Sequence, residues 1–557
     1  MTFYTVGVFD RRVQDYQSSE AGTFLDVPAT NPYNPFGEDV FVAYLFGNNE
    51  TGPLRYEYDT TNIQGSVGVR GDIGPFNYDV AYSAYRQEIF ETVITDIDVP
   101  ATEAAAARTD ATAFNPFCNN CNTAAQLEGF APSGFSKDVN TLRTLDAKIT
   151  GDLFDWYAGP VAFALGGERR WVKFRFTDGY NDVDYFESGR GGGGDDRGER
   201  TVSAVFGEVR IPLYGEEQAG GFLNSAEVTG ATRYENYSDF GSSTVGSVSA
   251  LAGFFEDNLL ARFTYSKSFR APEVSALNFP ITTETLSTNG FFFDPVRGDI
   301  LPFDLIFGGN PDLEPEKGRS INAGIVLQTP ERNLRFSVDY FDLQISKLIR
   351  EPDIQALLDG VSAGGAITRD PDTLYPTVDI RLDNLGTRAV TGLDFGVTYN
   401  KETDRFGDFF VDFNGTLLTT FEDEIGGEVF DFLGTYDQGA IGTIPEFRGL
   451  IQSGWSKDGY SAVATFNYTS SYRESSSNTA ERRSGSYQTV NLFFSKDFEA
   501  DDVAFAPSLF EGLQIYAGID NIFNKAPNFI AASSDGYDRL VADIRGRYIF
   551  GGVRKQF

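Results

Sequence analysis

Two segments alternate apolar and polar side chains along their whole length. In Leu259–Arg270, the residues Leu259, Ala261, Phe263, Tyr265 and Phe269 share one parity, and Arg262, Thr264, Ser266, Ser268 and Arg270 share the other. In residues 460–473, Tyr460, Ala462, Ala464, Phe466, Tyr468 and Tyr472 oppose Ser461, Thr465, Asn467, Thr469, Ser471 and Arg473. Successive side chains of a strand point to opposite sides, so this period predicts strands with one apolar and one polar face. Further strands are expected near residues 56–71, 76–93, 140–151, 160–177, 200–213 and 222–237. In residues 334–345 the apolar phase moves from Leu334, Phe336, Val338 and Tyr340 to Phe341, Leu343 and Ile345. A slip of one residue predicts a β-bulge there.

The connections between these strands alternate in length. Residues 72–75, 214–221, 256–258, 330–333 and 457–459 are short; residues 94–138, 178–198, 272–315, 350–376, 422–443 and 524–540 are long. Residues 22–53 are dense in turn formers and read as one more long loop. Long loops gathered at one end and tight turns at the other are the organisation of a membrane-spanning antiparallel barrel. Its strands need only about 9–11 residues of alternation, and no apolar run approaches the roughly 18 of a membrane helix. The fold expected is all-β, a transmembrane antiparallel β-barrel over residues 1–557 with about 18 strands. The first ascends from the short-turn side and the last returns to it. That last strand, residues 546–557, places Ile549, Val553 and Phe557 on one face and ends on a bare aromatic. A closing strand ending this way carries the signal by which a bacterial outer-membrane barrel is assembled, so Val553 and Phe557 are its candidate residues. Lys555 occupies a position where such signals carry an aromatic.

Composition removes several kinds of chemistry. The net charge of −35 leaves no basic footprint for nucleic acid. The chain has no His, which takes away the usual general base, the commonest metal ligand and the usual haem ligand. No catalytic residue, cofactor or metal site is therefore expected. Two Cys cannot staple a disulfide scaffold. Cys118 and Cys121 bracket two Asn, with no βαβ context for a redox motif and no second ligand pair for zinc. A disulfide across the tip of an external loop is the expected reading. The acidic loop residues Asp182, Asp184 and 191–196, and the run Glu422, Asp423 and Glu424, fit no defined Ca²⁺ loop and read as solvated.

Five stretches resemble landmarks of the TonB-dependent outer-membrane receptors, in that family's order. Ser266-Lys-Ser-Phe-Arg-Ala-Pro272 resembles its "SFRAP" segment, through Phe269, Arg270, Ala271 and Pro272. Gly309-Asn-Pro-Asp-Leu-Glu-Pro-Glu-Lys317 resembles its "NPxLxPE" box, through Asn310, Pro311, Asp312 and Leu313. Asn384, Gly386 and Gly392 match a long-strand pattern; Asn521, Phe523 and Pro527 match the penultimate one; Phe557 closes the series. The resemblance implies a barrel of the 22-stranded receptor type, with an N-terminal plug and a TonB-binding box. On that reading the plug and the first strands lie outside this chain. It further implies a bacterial outer-membrane location, surrounding lipid, TonB and the barrel assembly machinery as partners, and a small-molecule substrate. The function implied is TonB-energised uptake of a scarce bulky nutrient such as a siderophore, cobalamin, oligosaccharide or peptide. A passive porin-like or surface-adhesive barrel is the alternative.

Haem-uptake members carry a His between the first two landmarks, and this chain has none. The plain reading of those landmarks is mechanical: Pro272 and Pro311 stop strands and Asp312 caps a turn. The aromatic run Phe291, Phe292 and Phe293 is the candidate for touching substrate; its alternative role is as a small core beneath the loop.

Overall fold

The computed structural model describes residues 1–47, 50–94, 97–130, 133–178, 195–215, 218, 221–279, 281–286, 292–299, 303–360, 364–436, 441–474, 482–499, 510–533 and 535–555. Nineteen strands share one sheet. Glu428–Asp431 only folds back on the end of its neighbour, which leaves eighteen staves. They are β1 (Thr2–Glu20), β2 (Pro53–Ile73), β3 (Phe76–Ile94), β4 (Gly134–Trp156), β5 (Gly159–Asp178) and β6 (Asp195–Tyr214). There follow β7 (Leu223–Tyr237), β8 (Gly241–Phe254), β9 (Leu259–Arg270), β10 (Glu316–Gln328), β11 (Leu334–Arg350) and β12 (Asp383–Lys401). The wall ends with β13 (Asp408–Ile425), β14 (Phe447–Lys457), β15 (Tyr460–Thr469), β16 (Tyr487–Phe498), β17 (Leu513–Asp520) and β18 (Tyr548–Lys555).

Each stave pairs antiparallel with the next in sequence, from β1 with β2 through β17 with β18. Among the described residues no ladder joins β18 to β1. As the alternation predicts, Thr2 starts at the tight-turn end, opposite Arg70, and β18 returns to that end.

Cross-strand register assigns the faces. Val80, Tyr82, Leu145, Leu165 and Val205 lie on one side of β3–β6 and are exposed, Leu165 and Val205 at 56 and 57 %. Asp79, Asp146, Glu168 and Arg170 occupy the other side. The apolar face is the outer one, and its tight-turn rim is ringed by Phe154, Trp156, Tyr157, Phe222, Phe255, Phe406 and Tyr460, all exposed. Aromatic girdles mark the edge of the hydrocarbon layer in such barrels. Several staves are far longer than a bilayer requires, β4 having 23 residues, so the wall continues beyond the membrane on the long-loop side.

The register corrects four readings of the sequence. No bulge separates Tyr340 from Phe341: β11 stays in register with β10 throughout. Phe341, Leu343 and Ile345 are apolar residues on the inner face, and the register shift comes later, at Lys347, whose φ is 57°. Residues 22–53 contain a hairpin of Gly22–Val27 with Val40–Leu45. The long connection at residues 94–138 contains helix α1 (Val99–Ala106), started by Pro100 and capped by Asp98, whose side chain accepts from Ala101 N–H at 2.8 Å. Finally, Ser238–Phe240 makes a tight turn on the long-loop side, so the alternation of connection lengths has one exception.

The face assignment predicts an asymmetric cost. Ala464→Arg, on the lipid face, should lose about 2–4 kcal/mol of folding free energy, and Thr465→Arg, one residue on, little. Urea titration in lipid vesicles, read by the mobility difference between boiled and unboiled samples, measures both. Equal costs would contradict the assignment.

Candidate functional site

The long loops assemble into three compact units over the outer mouth. The first joins residues 21–46 and 97–130 around Leu25, Val27, Phe46, Ile97, Phe114 and Phe130. Phe114 meets Phe46 and Phe130 at ring distances of 5.8 and 5.2 Å. Cys118 and Cys121 face each other at its edge, their Cα atoms 6.0 Å apart. Nearby Tyr44 donates to Glu50 and to the Cys118 carbonyl; burial and the Glu50 carboxylate push its phenol far up.

The second unit is a four-stranded sheet in the order Thr282–Leu286, Phe303–Phe307, Pro376–Asp379 and Ala366–Arg369. Its core is Phe303, Leu357, Leu358 and Val378. The aromatic candidates divide here. Phe292 packs into that core, 6.0 Å from the Phe303 ring. Phe293 is half exposed, with its backbone held by the Gln355 side chain at 3.0 and 2.8 Å. Phe291 lies outside the described residues, as do Asp182, Asp184, 191–194 and Phe557. Arg369 donates two bonds to Asp294, at 2.6 and 2.8 Å. Burial pushes the Asp294 carboxyl up, but Arg369 and the Val296 N–H outweigh it and hold it below its ordinary range.

The third unit gathers Tyr436, Tyr472, Ile530 and Val541. At its centre the Asp538 carboxylate accepts from the Thr443 and Tyr472 hydroxyls at 2.6 and 2.9 Å. Burial and that carboxylate raise the Tyr472 phenol.

The landmark residues brace the rim between these units. Arg270 forms a fork with Glu316 at 2.6 and 2.8 Å, tying the end of β9 to the start of β10. Phe269 meets the Tyr237 ring edge-on at 5.9 Å. The Pro272 carbonyl accepts from Arg200 at 2.8 Å. Arg200 also holds Asp239 at 2.6 Å and lies over the Tyr237 ring. Burial and the Glu235 carboxylate push the Tyr237 phenol up to about 12. In the second landmark the turn is capped by Asn310, not by Asp312: the Asn310 amide oxygen accepts from Asp312 N–H at 3.0 Å, and Asp312 itself is exposed. Leu313 is buried. Asn384 clamps both sides of this rim, accepting from Glu314 N–H and donating to the Glu314 and Lys347 carbonyls.

Two glycines are fixed by close approach. A Cβ on Gly386 would stand 2.4 Å from the Glu424 carbonyl, and one on Gly392 would stand 2.6 Å from the Phe341 ring. In the last landmark Asn521 stops β17. It adopts a φ of 50° and holds both backbone groups of Lys525 at 2.8 Å. Phe523 is exposed; Pro527 follows in the irregular segment after β17. Val553 pairs with Ile515 on the lipid face.

The acidic run divides. Glu422, Asp423 and Glu424 lie within β13; Glu424 is exposed, as a solvated residue would be, but Asp423 is fully buried. Arg388 grips it at 2.7 and 2.8 Å and Arg350 at 2.7 Å. This triad on the inner wall escaped sequence reading because register alone sets Arg388 opposite Asp423. Among the described residues no cluster of His, Cys, Asp and Glu is placed to hold a metal.

A wide wall, a charged interior and organised outer loops describe a receptor mouth. The family model of the TonB-dependent receptor-like β-barrel matches residues 3–522. The chain belongs to that family. Members of that family reside in the Gram-negative outer membrane, with long loops outward and tight turns toward the periplasm. A search of curated proteins finds no match. Among solved structures, the siderophore receptor PirA of Acinetobacter baumannii superposes with a TM-score of 0.58 at 14% identity, over 90% of this chain and 63% of its own. The ferric enterobactin receptor PfeA of Pseudomonas aeruginosa gives 0.57 at 15%, over 91% and 62%. The ferric-catecholate import receptor Fiu of E. coli K12 gives 0.54 at 11%, over 100% and 72%. This chain thus spans under two thirds of the first two. The family and these neighbours are receptors, not enzymes.

Two tests follow from the ion pairs. Asp423→Asn leaves two arginines facing a neutral amide in a buried site and should cost about 3–5 kcal/mol. Faster hydrogen exchange confined to the outer ends of β12 and β13 is the expected readout; unchanged exchange there contradicts it. Asp294 has a lowered carboxyl in the fold, so its contribution is full above the ordinary carboxylate range and is lost as pH falls through the lowered value. Protection of Phe303–Phe307 should therefore fall on acidification toward that of Arg369→Gln. A difference between the two that does not change with pH would rule this out.

Proposed function

We propose that this receptor barrel takes up a scarce, bulky nutrient across the outer membrane, with energy delivered through TonB. The observation that carries the reading is the family match over residues 3–522. The loop units support it, because a passive pore has no need of three separately packed cores over its mouth. The half-exposed Phe293, held from behind by Gln355, is the proposed substrate contact, and Phe292 is its footing. The paired charges of the inner wall favour a polar cargo. Siderophore, cobalamin, oligosaccharide and peptide all meet that description. Neighbours named as a siderophore receptor and a ferric-catecholate import receptor make an iron chelate the first to try. β18 serves as the signal read by the barrel assembly machinery, with Val553 on its lipid side.

The test is uptake by cells carrying the full-length gene. Accumulation of a radiolabelled ferric siderophore should stop when a protonophore collapses the inner-membrane gradient, while binding at the cell surface persists. Uptake that continues without the gradient would support the passive barrel instead.

A further inference from the structure

Both the oxygen and the nitrogen of the Gln355 amide are engaged at Phe293. The oxygen accepts from the Phe293 N–H at 3.0 Å. The nitrogen donates to the Phe293 carbonyl at 2.8 Å and to the Asp359 carboxylate at 2.9 Å. One planar group thus fixes an aromatic residue and a carboxylate relative to each other. Phe293 is 48 % exposed and Val296 55 %, and Pro295 between them is exposed as well. The turn that carries this apolar surface is held from below, by Phe292 on the Phe303 ring and by Arg369 on the Asp294 carboxylate.

The charges around this surface are one-sided. Residues 282–286, 292–299, 303–307, 353–359 and 364–379 of the second unit carry nine carboxylates against two arginines. Neither arginine is free. Arg369 is taken by Asp294, and Arg297 meets Asp299 at 3.5 Å and lies across the Tyr375 ring at 5.7 Å. Asp353 and Asp359, at the two ends of the single-turn helix Ile354–Leu358, are exposed and have no ionic partner among the described residues. The first unit leans the same way, with seven carboxylates and one arginine in residues 21–46 and 97–130. The third unit has bases of its own, Arg473, Arg482 and Arg483, on a separate core. A carboxylate-rich surface repels anions and draws cations. A half-exposed ring beside a carboxylate is the pairing that holds an ammonium group.

We propose that the cargo carries an organic ammonium group, received at the Phe293 ring with Asp359 as its counter-charge. The methylenes that bear the ammonium lie on the exposed Pro295 and Val296. The inference rests on the reading of Phe293 as the substrate contact, and adds the charge that the substrate brings to it. A bare metal ion does not suit the place. Ca²⁺ takes about six to eight oxygen ligands, and an aromatic face beside one carboxylate cannot replace its hydration shell. A polyanionic cargo would meet carboxylates at this contact with no free arginine in the unit to offset them.

The test is calorimetric titration of the full-length receptor with three ferric trihydroxamates that share one body. The first ends in a free amine, the second has that amine acetylated, and the third has it succinylated to an acid. A cation–π contact and an exposed ion pair together are worth about tenfold in binding. The amine form should therefore bind about tenfold more tightly than the acetylated form, and the acid form more weakly than either. This comparison needs no variant to fold. Asp359→Asn, which can keep the Gln355 hydrogen bond, and Phe293→Leu should each bring the amine form close to the acetylated one. Equal binding of the three, preference for the acid, or no binding of the amine form at millimolar concentration would overturn the proposal. A preference that survives both substitutions would overturn it as well. Selective binding without gradient-dependent accumulation would leave this inference standing and remove the uptake reading.

Discussion

A backbone amide in hydrocarbon has no water to bond, so a sheet that crosses a bilayer must satisfy every N–H and C=O within itself. The rest of this structure follows from that constraint. It makes each stave pair with its neighbour in sequence, since tight turns close the ladder at the least cost in chain. It forces strict alternation, because one face meets lipid and the other meets the lumen. It also bears on the edges. β1 and β18 need hydrogen-bonded partners wherever they pass through hydrocarbon, and no ladder between them is present among the described residues.

The charges are arranged to suit that wall. On the inner face acids and bases are paired along the staves: Arg262 forks onto Asp339 at 2.6 Å, and Glu168, Arg170, Arg233 and Glu235 form a chain toward the rim. Each of these pairs offsets its own charges, so neither partner is left uncompensated on the wall. At the rim the same chemistry becomes mechanical. Arg270–Glu316, Arg200–Pro272 and the Asn384 clamp join the ends of separate staves and fix where each outer loop departs. The three loop units then rest on fixed footings, and each carries its own small core.

Much of this was legible in the sequence. Alternation in Leu259–Arg270 and residues 460–473 gave strands and faces together, and the lengths of the connections gave the two ends of the barrel. What was not legible depends on contacts between distant residues. The apolar run Phe341, Leu343 and Ile345 looks like a slipped phase, because sequence pattern assumes that apolar means lipid-facing; in fact Phe341 lies on the inner wall over Gly392. Asp423 looks like one acid among three until Arg350, 73 residues away, is brought to it. The loop cores join segments such as Ala21 and Phe130 that no local period connects. The landmark motifs were visible as words, but their work as rim braces is visible only in space.

The central claim is that parity along each stave separates lipid from lumen. A spin-label scan of single Cys substitutions along Tyr460–Thr469, with the protein in native lipid, addresses it most directly. Labels at Ala462, Ala464 and Phe466 should be relaxed by dissolved oxygen, and labels at Val463, Thr465 and Asn467 by a water-soluble nickel chelate. Accessibility that fails to alternate, or that alternates in the opposite phase, would contradict the account.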